Sequence, residues 1–323
     1  MRIAVVGAGQ FGRKHIETVR NEPQCELVAV ADPAYTGELA FSDYREMLDR
    51  AKPQGVIIAT PNALHVPVGL ACVERSVPVL VEKPIADTVA ASNELVNAAQ
   101  RRRVPLLVGH HRRYNPILEK AREIVQDGGI GRLTAVAALW LQKPADYFDV
   151  TWRREAGGGP LLINAIHDID DLRFVCGEID EVRAITSNST RKFTVEDSAA
   201  IALRFASGAV GTLTVSDAVA APWSWELTAG ENSVYPRQDQ SCYFFTGTEG
   251  ALAVPEMTLF TYGEKQGWYA PLAKRTLEVK REDPQVRQLR HFCRVIRGEE
   301  APRIDGADAT RTLAVIEAIR KGA

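Results

Sequence analysis

The chain is poor in the features that would send it to a membrane, a nucleic acid or an oxidising compartment. It has only five cysteines in 323 residues: Cys25, Cys72, Cys176, Cys242 and Cys293. They are odd in number, scattered and never spaced C-x-x-C, which excludes an evident disulfide framework and reads as small core residues in a reducing cytoplasm. Neither sign of charge dominates: the formal net charge is -2, so there is no general basic field for nucleic acid or an anionic membrane. No uninterrupted apolar run is long enough to cross a bilayer, and the first apolar stretch is too short and lacks the flanks of a signal peptide. Internal repeats, low-complexity tracts and disordered linkers are missing as well. What is left is a globular composition, 46% hydrophobic and 25% charged, in a chain too long for one comfortable core and suited to two domains.

The most informative stretch comes almost first. An apolar run, Ile3 to Val6, precedes Gly7-Ala8-Gly9-Gln10-Phe11-Gly12, and helix-forming residues follow. Between a buried strand and a helix, G-x-G-x-x-G has a physical meaning. Gly7 permits the tight turn, Gly9 removes the Cβ that would hold the backbone away from a pyrophosphate, and Gly12 allows close helix packing. The free N-H groups at the helix start then attract the anion. Gly7, Gly9, Gln10, Phe11 and Gly12 are therefore candidate cofactor-binding residues. A second strand, residues 26–31, ends in Asp32 at the spacing where a carboxylate meets the adenosine ribose hydroxyls. Asp32 favours NAD by accepting from a free 2'-hydroxyl and repelling a 2'-phosphate, while Arg13 and Lys14 keep NADP as the alternative. An ordinary glycine turn without a ligand is the plain alternative to all of this.

The first part of the chain goes on alternating strand and helix. A short loop follows Asp32, then a capped helix at 42–48, a buried strand at 55–60, a helix through Val73, a strand at 77–81, a helix at 88–101 and a strand at 105–108. Repeated βα units imply a doubly wound parallel sheet whose ligands lie beyond the carboxyl ends of its strands, where Thr60, Lys83 and Gly109 fall. After Pro116 the pattern changes. A helix at 117–125 leads to a long alternating strand at 133–141 and a helix at 167–174. Strands then dominate, at 181–188, 198–205, 210–216, 225–229 and 241–245, with a hairpin turn at 205–209. Helices are expected again at 284–297 and 307–320. The long strands suggest an open, mainly antiparallel sheet with helices on one face and a freer face suited to a dimer. The division expected is an α/β Rossmann domain over residues 1–117 and an α+β domain over 118–323, with the C-terminal helix packing back on the first.

Gly7 to Gly12, then Thr60-Pro61-Asn62 with His65, then Glu82-Lys83-Pro84, then Gly159 through His167 to Asp170, in this order and spacing, resemble the Gfo/Idh/MocA oxidoreductases. The likeness covers essentially the whole chain. It implies an N-terminal Rossmann domain, a C-terminal domain with an open sheet, NAD(P), a cis bond before Pro84, and a homodimer or homotetramer built through that sheet. It does not fix the substrate. Asn62 and His65 resemble positions near the nicotinamide ribose, with helix capping the reading preferred for His65.

The chemistry also follows from the residues. Oxidising CH-OH needs a base for the hydroxyl proton while hydride leaves for the nicotinamide, and reduction needs an acid. Lys83, at a strand end, is the first candidate, since burial and a cationic ring would lower its pKa toward neutrality. A surface lysine paired with Glu82 is the alternative. His167 is the second, with Asp170 and Asp171 placed three and four residues on to orient its imidazole. Relatives of the inositol dehydrogenase type carry an acid four residues earlier, where this chain has Ile163, with Asn164 beside it as a candidate for orienting a substrate oxygen.

Arg112, Arg113, Lys143, Arg153 and Arg154 form a basic excess around the expected cleft. Arg112, Lys143 and Arg153 are candidate donors to a substrate carboxylate. Segments including Lys143-Pro144, Tyr147-Phe148 and Trp152-Arg153-Arg154 also resemble relatives acting on carboxylated rings such as cis-dihydrodiol carboxylates. Neither His110-His111 nor the acids Asp168, Asp170 and Asp171, read as a solvated helix face, has metal-ligand spacing, so no metal is expected. Three functions stay open: a dehydrogenase of a sugar or cyclic polyol, one of a carboxylated ring, and a non-catalytic dinucleotide sensor. Intact Lys83 and His167 favour the enzyme.

Overall fold

The computed structural model describes residues 1–144, 149–155 and 157–322, so the Tyr147-Phe148 resemblance lies outside the described residues. Two compact units emerge, Met1–His111 with Asp283–Ala314, and Arg112–Glu282 with Val315–Ala323. The expectation was a boundary after residue 117 with the C-terminal helix packing back on the first domain; the chain passes from the first unit to the second after His111, comes back at Asp283 and joins the second again at Val315.

The first unit is built on a six-stranded parallel sheet of order β3-β2-β1-β4-β5-β6. Its strands are β1 (Arg2–Val6), β2 (Glu26–Ala31), β3 (Ala40–Phe41), β4 (Gly55–Ile58), β5 (Val79–Val81) and β6 (Leu106–Val108). β1 and β4 to β6 are short apolar runs buried almost end to end, as strands covered on both faces must be. The order doubles back at β1, whose parallel neighbours are β2 on one side and β4 on the other. That reversal is where such sheets bind ligands. Helices α1 (Gln10–Asn21), α2 (Tyr44–Ala51), α3 (His65–Glu74) and α4 (Val89–Arg102) connect the strands. Asp43 and Thr88 cap α2 and α4 by accepting from backbone N-H groups of the first turn. The core joins Ile3, Val5, Ile16 and Ile57 to Phe292 and Leu289 from near the other end of the chain. Burying a ring such as Phe292 contributes roughly 2 to 3 kcal/mol, which is what holds the returning segment on this sheet. The same return brings the Cys25 and Cys293 sulfurs to 3.4 Å as free thiols, a proximity that their spacing in the sequence does not announce.

The second unit has an eight-stranded sheet of order β14-β13-β12-β11-β7-β10-β9-β8. Its strands are β7 (Leu133–Leu141), β8 (Ile179–Ser187), β9 (Ser198–Phe205), β10 (Val210–Ser216), β11 (Tyr243–Gly247), β12 (Gly250–Val254), β13 (Thr258–Tyr262) and β14 (Leu272–Thr276). Only β7 and β10 run parallel; every other pairing is antiparallel. β9 and β10 alternate buried and exposed residues over most of their length, so one face is core and the other open. Gly208, at a φ of 87°, makes the turn between them. Helices α5 (Pro116–Gln126) and α6 (Ile166–Cys176) pack together in this unit.

Two expectations need correction, and one region was not anticipated. The strand expected at 225–229 is the short helix α7 (Trp225–Thr228), because the Ser224 side chain caps it by accepting from Leu227 N. Strands β12 to β14 had no expectation at all. The solvated face expected on α6 is buried throughout: Asp168, Asp170, Asp171 and Arg173 all lie inside. Two further helices, α8 (Pro284–Ile296) and α9 (Gly306–Lys321), complete the chain. α8 starts at an Asp283 cap and packs on α1.

Candidate active site

The turn after β1 gives each glycine a different task. Gly7 sits at a φ of 94°, where an added Cβ would stand 2.5 Å from the Ala59 carbonyl oxygen. A Cβ on Gly12 would collide with the Gly7 carbonyl, so this glycine lets α1 close down on the loop. Gly9 has open space around its Cβ direction. No neighbour among the described residues requires it, which is what a backbone approached by a ligand looks like. α1 starts at Gly9 with no side-chain cap and no acid in its first turn among the described residues, leaving N-H groups of Gln10, Phe11 and Gly12 pointed at the same opening. Asp32, just past β2, accepts from Ala8 N and from Ala34 N, both at 2.8 Å. Its carboxylate is thereby fixed beside the loop. Arg13, a candidate for holding a 2'-phosphate, donates from Nε to the Ala8 carbonyl at 3.1 Å. An open backbone cradle, an uncapped helix start and a fixed acid fit an NAD pyrophosphate and ribose.

The next strand ends supply the reactive group. Thr60 and Pro61 follow β4 and lead to a single 3-10 turn, Asn62–Leu64. His65 begins α3, but its side chain does not cap that helix: Nδ1 lies 2.7 Å from the Pro84 carbonyl and Nε2 3.0 Å from that of Thr60. Burial pushes its pKa below the ordinary histidine value despite those two contacts. His65 thus ties the Thr60 turn to the turn after β5. In that second turn the Lys83–Pro84 bond is cis. Glu82, nearly buried, accepts from Lys83 N at 3.2 Å through Oε2 and lies 2.6 Å from His15 Nε2 through Oε1. Burial raises the Glu82 pKa, but the His15 bond and the electrostatic pull of His15, His111 and Lys83 outweigh it and hold the carboxyl at about 2. Gly109 makes room, since a Cβ there would stand 2.9 Å from Glu82 Oε2. The Lys83 ammonium lies 5.9 Å from the centroid of the Phe11 ring on α1. Glu82 thus also meets Lys83 through the lysine backbone N-H.

In the second unit, His167 sits in the first turn of α6, directly after a π turn, Leu161–Ala165, that carries Ile163 and Asn164. Such wide turns distort a helix locally and occur often at functional sites. Glu196 Oε1 accepts from Leu161 N at 3.0 Å at the start of that turn, and a Cβ on Gly159 would run into Glu196.

The acids flanking His167 have partners far away in sequence. Arg113 grips Asp170 with Nε at 2.7 Å and Nη2 at 2.6 Å, and Arg112 bonds Asp171 at 3.1 Å and Glu226 at 2.6 Å. Tyr243 donates to Asp168 at 2.5 Å, and Trp140 Nε1 donates to the other Glu226 oxygen at 3.0 Å. Burial, reinforced by Glu226, pushes Asp168 up to about 7 against the pull of Arg112 and Tyr243. These are interior charges stabilised by mutual pairing.

Arg112, expected as a donor to substrate, is therefore committed within the protein and nearly inaccessible. Lys143 is exposed, and the Arg153 guanidinium stacks 5.4 Å from the ring of its exposed neighbour Trp152. Sequence reasoning passed over His15, Glu226 and Tyr243. Only His15 left a signal, a histidine one helical turn beyond Gly12 on the buried face of α1. Among the described residues no group of His, Cys, Asp and Glu is gathered as a metal ion would need.

Comparisons with known proteins give the family. Residues 1–110 match the model of an oxidoreductase family with an NAD-binding Rossmann fold, GFO/IDH/MocA, and residues 118–253 match the C-terminal domain of the same family. The chain belongs to the Gfo/Idh/MocA family of NAD-binding oxidoreductases. It is 31% identical over 200 residues to the rhizopine catabolism protein MocA of Rhizobium meliloti, covering 58% of this chain and 62% of that protein. It is 25% identical to a myo-inositol 2-dehydrogenase of Thermotoga maritima over 99% of this chain and 96% of the relative. Among solved structures, the WlbA dehydrogenase of Bordetella pertussis, crystallised with NADH and UDP-GlcNAcA, is similar over 100% of this chain and 96% of its own, at 25% identity and a TM-score of 0.79. No helix among the described residues is long and apolar enough to cross a membrane.

Proposed function

We propose that this chain is a dehydrogenase that moves hydride between NAD and a CH-OH carbon of a small sugar or cyclic polyol, with Lys83 exchanging the hydroxyl proton and His167 as the second acid-base group. Bound NAD supplies the hydride acceptor in oxidation and the donor in reduction. Lys83 takes the proton from the substrate hydroxyl in the first direction and returns it in the second. The carrying observation is the Lys83–Pro84 turn. It is pinned by His15 through Glu82 and by His65 through the Pro84 carbonyl, and its ammonium reaches toward Phe11 at the helix start that fits a pyrophosphate. A lysine that only decorated the surface would need none of these restraints.

The near full-length similarity to a myo-inositol 2-dehydrogenase supports a polyol or sugar. The carboxylated-ring alternative loses Arg112 to the buried cluster and rests on Lys143 and Arg153. The open face of the large sheet supports a homo-oligomer: Ala137, Ala202 and Thr212 in one register row, with Ala200 and Thr214 in the next, are small and exposed, so a second copy can lie flat on them. A cytoplasmic location accords with five cysteines that are all free.

The test is turnover of NAD and NADP with myo-inositol, glucose and glucuronate, followed at the nicotinamide absorbance. NAD-linked turnover of a hydroxy compound, lowered roughly 10²- to 10⁴-fold by Lys83→Met with NADH binding preserved, is the expected result. Stoichiometric NADH binding with no turnover across the panel would put the sensor in its place.

A further inference from the structure

The acid-base reading of Lys83 leaves one buried pair unused. His15 and Glu82 face each other at 2.6 Å, both nearly excluded from solvent, 67 residues apart in the chain. An ionised carboxylate only accepts, so His15 must donate from Nε2. The other Glu82 oxygen accepts from the Lys83 backbone N-H, and Gly109 is bare so that this oxygen fits. The histidine stands on α1, the helix whose first turn forms the candidate pyrophosphate cradle. A continuous path therefore runs from that helix through imidazole and carboxylate to the backbone of the reactive lysine.

We propose that His15 is a positioning residue: by donating to Glu82 it keeps that buried carboxylate ionised and in place, and Glu82 in turn sets both the backbone geometry and the proton affinity of Lys83. The inference rests on the acid-base reading of Lys83 for its link to turnover, but the His15 to Lys83 coupling itself is a property of the folded chain. The charged and titratable groups around Glu82 are His15 from α1, Lys83 next in the chain and His111 beyond β6. Glu82 and Asp87 both act on His65 of α3. Among the described residues, the side-chain hydrogen bond acting on Glu82 comes from His15. With that donor removed, burial governs Glu82 and favours its neutral form. Lys83 then loses an adjacent negative charge, and its own pKa falls.

The coupling can be read without a known substrate. Competitive labelling of the full chain with trace acetic anhydride across pH, followed by mass spectrometry of the Lys83 peptide, gives the midpoint at which this amine becomes reactive. In His15→Leu and in Glu82→Gln the midpoint should move to lower pH by about one pH unit. His15→Gln, which keeps a donor at a similar reach, should restore the wild-type midpoint. If Leu at position 15 prevents folding, the nearly isosteric Glu82→Gln carries the comparison. An unmoved midpoint in the folded variants overturns the inference, as does a shift in His15→Gln as large as in His15→Leu. Turnover is a separate axis. Where Lys83 is the base, the acid limb of kcat/KM for oxidation shifts down with the labelling midpoint. Wild-type kcat in Lys83→Met would sink the acid-base reading while the labelling result stood on its own.

Discussion

Replacing Arg113 by Met should destabilise the second unit out of proportion to the volume changed. Both oxygens of Asp170 receive bonds from Arg113, at 2.6 and 2.7 Å, and both residues are nearly inaccessible to water. Deleting one member of such a pair leaves an uncompensated charge inside and costs about 3 to 5 kcal/mol. Arg173 Nη1, 3.9 Å from Asp170 Oδ1, softens the penalty, so the lower end, about 3 kcal/mol, is expected. Adding Asp170→Leu should recover most of the loss, because an apolar pair of similar volume has no charge to strand. The assay is urea unfolding followed by tryptophan fluorescence. All five tryptophans, Trp140, Trp152, Trp223, Trp225 and Trp268, belong to the second unit, so the signal reports that unit even if the two melt separately. A single variant within 1 kcal/mol of wild type, on the scale of an exposed pair, would refute the reasoning. So would a double variant no more stable than the single.

The acid limb of stability tests the Glu82 assignment. Its folded pKa of about 2 lies below the ordinary 4.5, so the stabilisation is complete above pH 4.5 and is lost as pH falls toward 2; at about 1.4 kcal/mol per pH unit it amounts to about 3 kcal/mol. The stability gap between wild type and Glu82→Gln should therefore be widest at neutral pH and close between pH 4.5 and 2; a gap independent of pH would contradict it. Cofactor choice tests Asp32: NAD should be preferred in kcat/KM, and Asp32→Ser should shrink the preference by roughly 10- to 100-fold, the worth of hydrogen bonds to a charged acceptor. Substrate charge tests Arg153: Arg153→Met should raise KM for an acidic substrate far more than for its neutral ester, and equal effects would remove carboxylate recognition at that residue.

What could be read from the sequence and what could not divides along a physical line. The first unit was legible because its strands are short apolar runs and its special positions are local. Gly7, Gly12 and Asp32 are defined by backbone conformation and by neighbours on the next strand, so their spacing carries their roles. α6 was misread for the complementary reason. Charged residues in a helix signal solvent only when their counter-charges are unknown, and those of Asp170 and Asp171 lie 57 and 59 residues earlier, at Arg113 and Arg112. No periodicity within 166–176 could reveal them. The same distance hid the His15 to Glu82 bond, although each partner sits in a segment recognised from sequence.

The strands beyond residue 249 escaped for a different reason. β14 is exposed at every position, with Lys274 and Arg275 in the middle of its five residues, so it shows no apolar alternation. It is a strand because β13 offers it a ladder from Thr258 to Tyr262, and its charges keep the sheet edge from recruiting another chain. At the other end of α6 the logic reverses. There the buried charges do not guard an edge but fix a helix: Arg112, Arg113 and Tyr243 hold three acids of α6, at Asp168, Asp170 and Asp171, within four residues of His167. An apolar helix packed by shape alone can slide or rotate by part of a turn at little cost. One locked by directional bonds at three closely spaced acids cannot, and His167, at its first turn after the π distortion, inherits that fixed orientation.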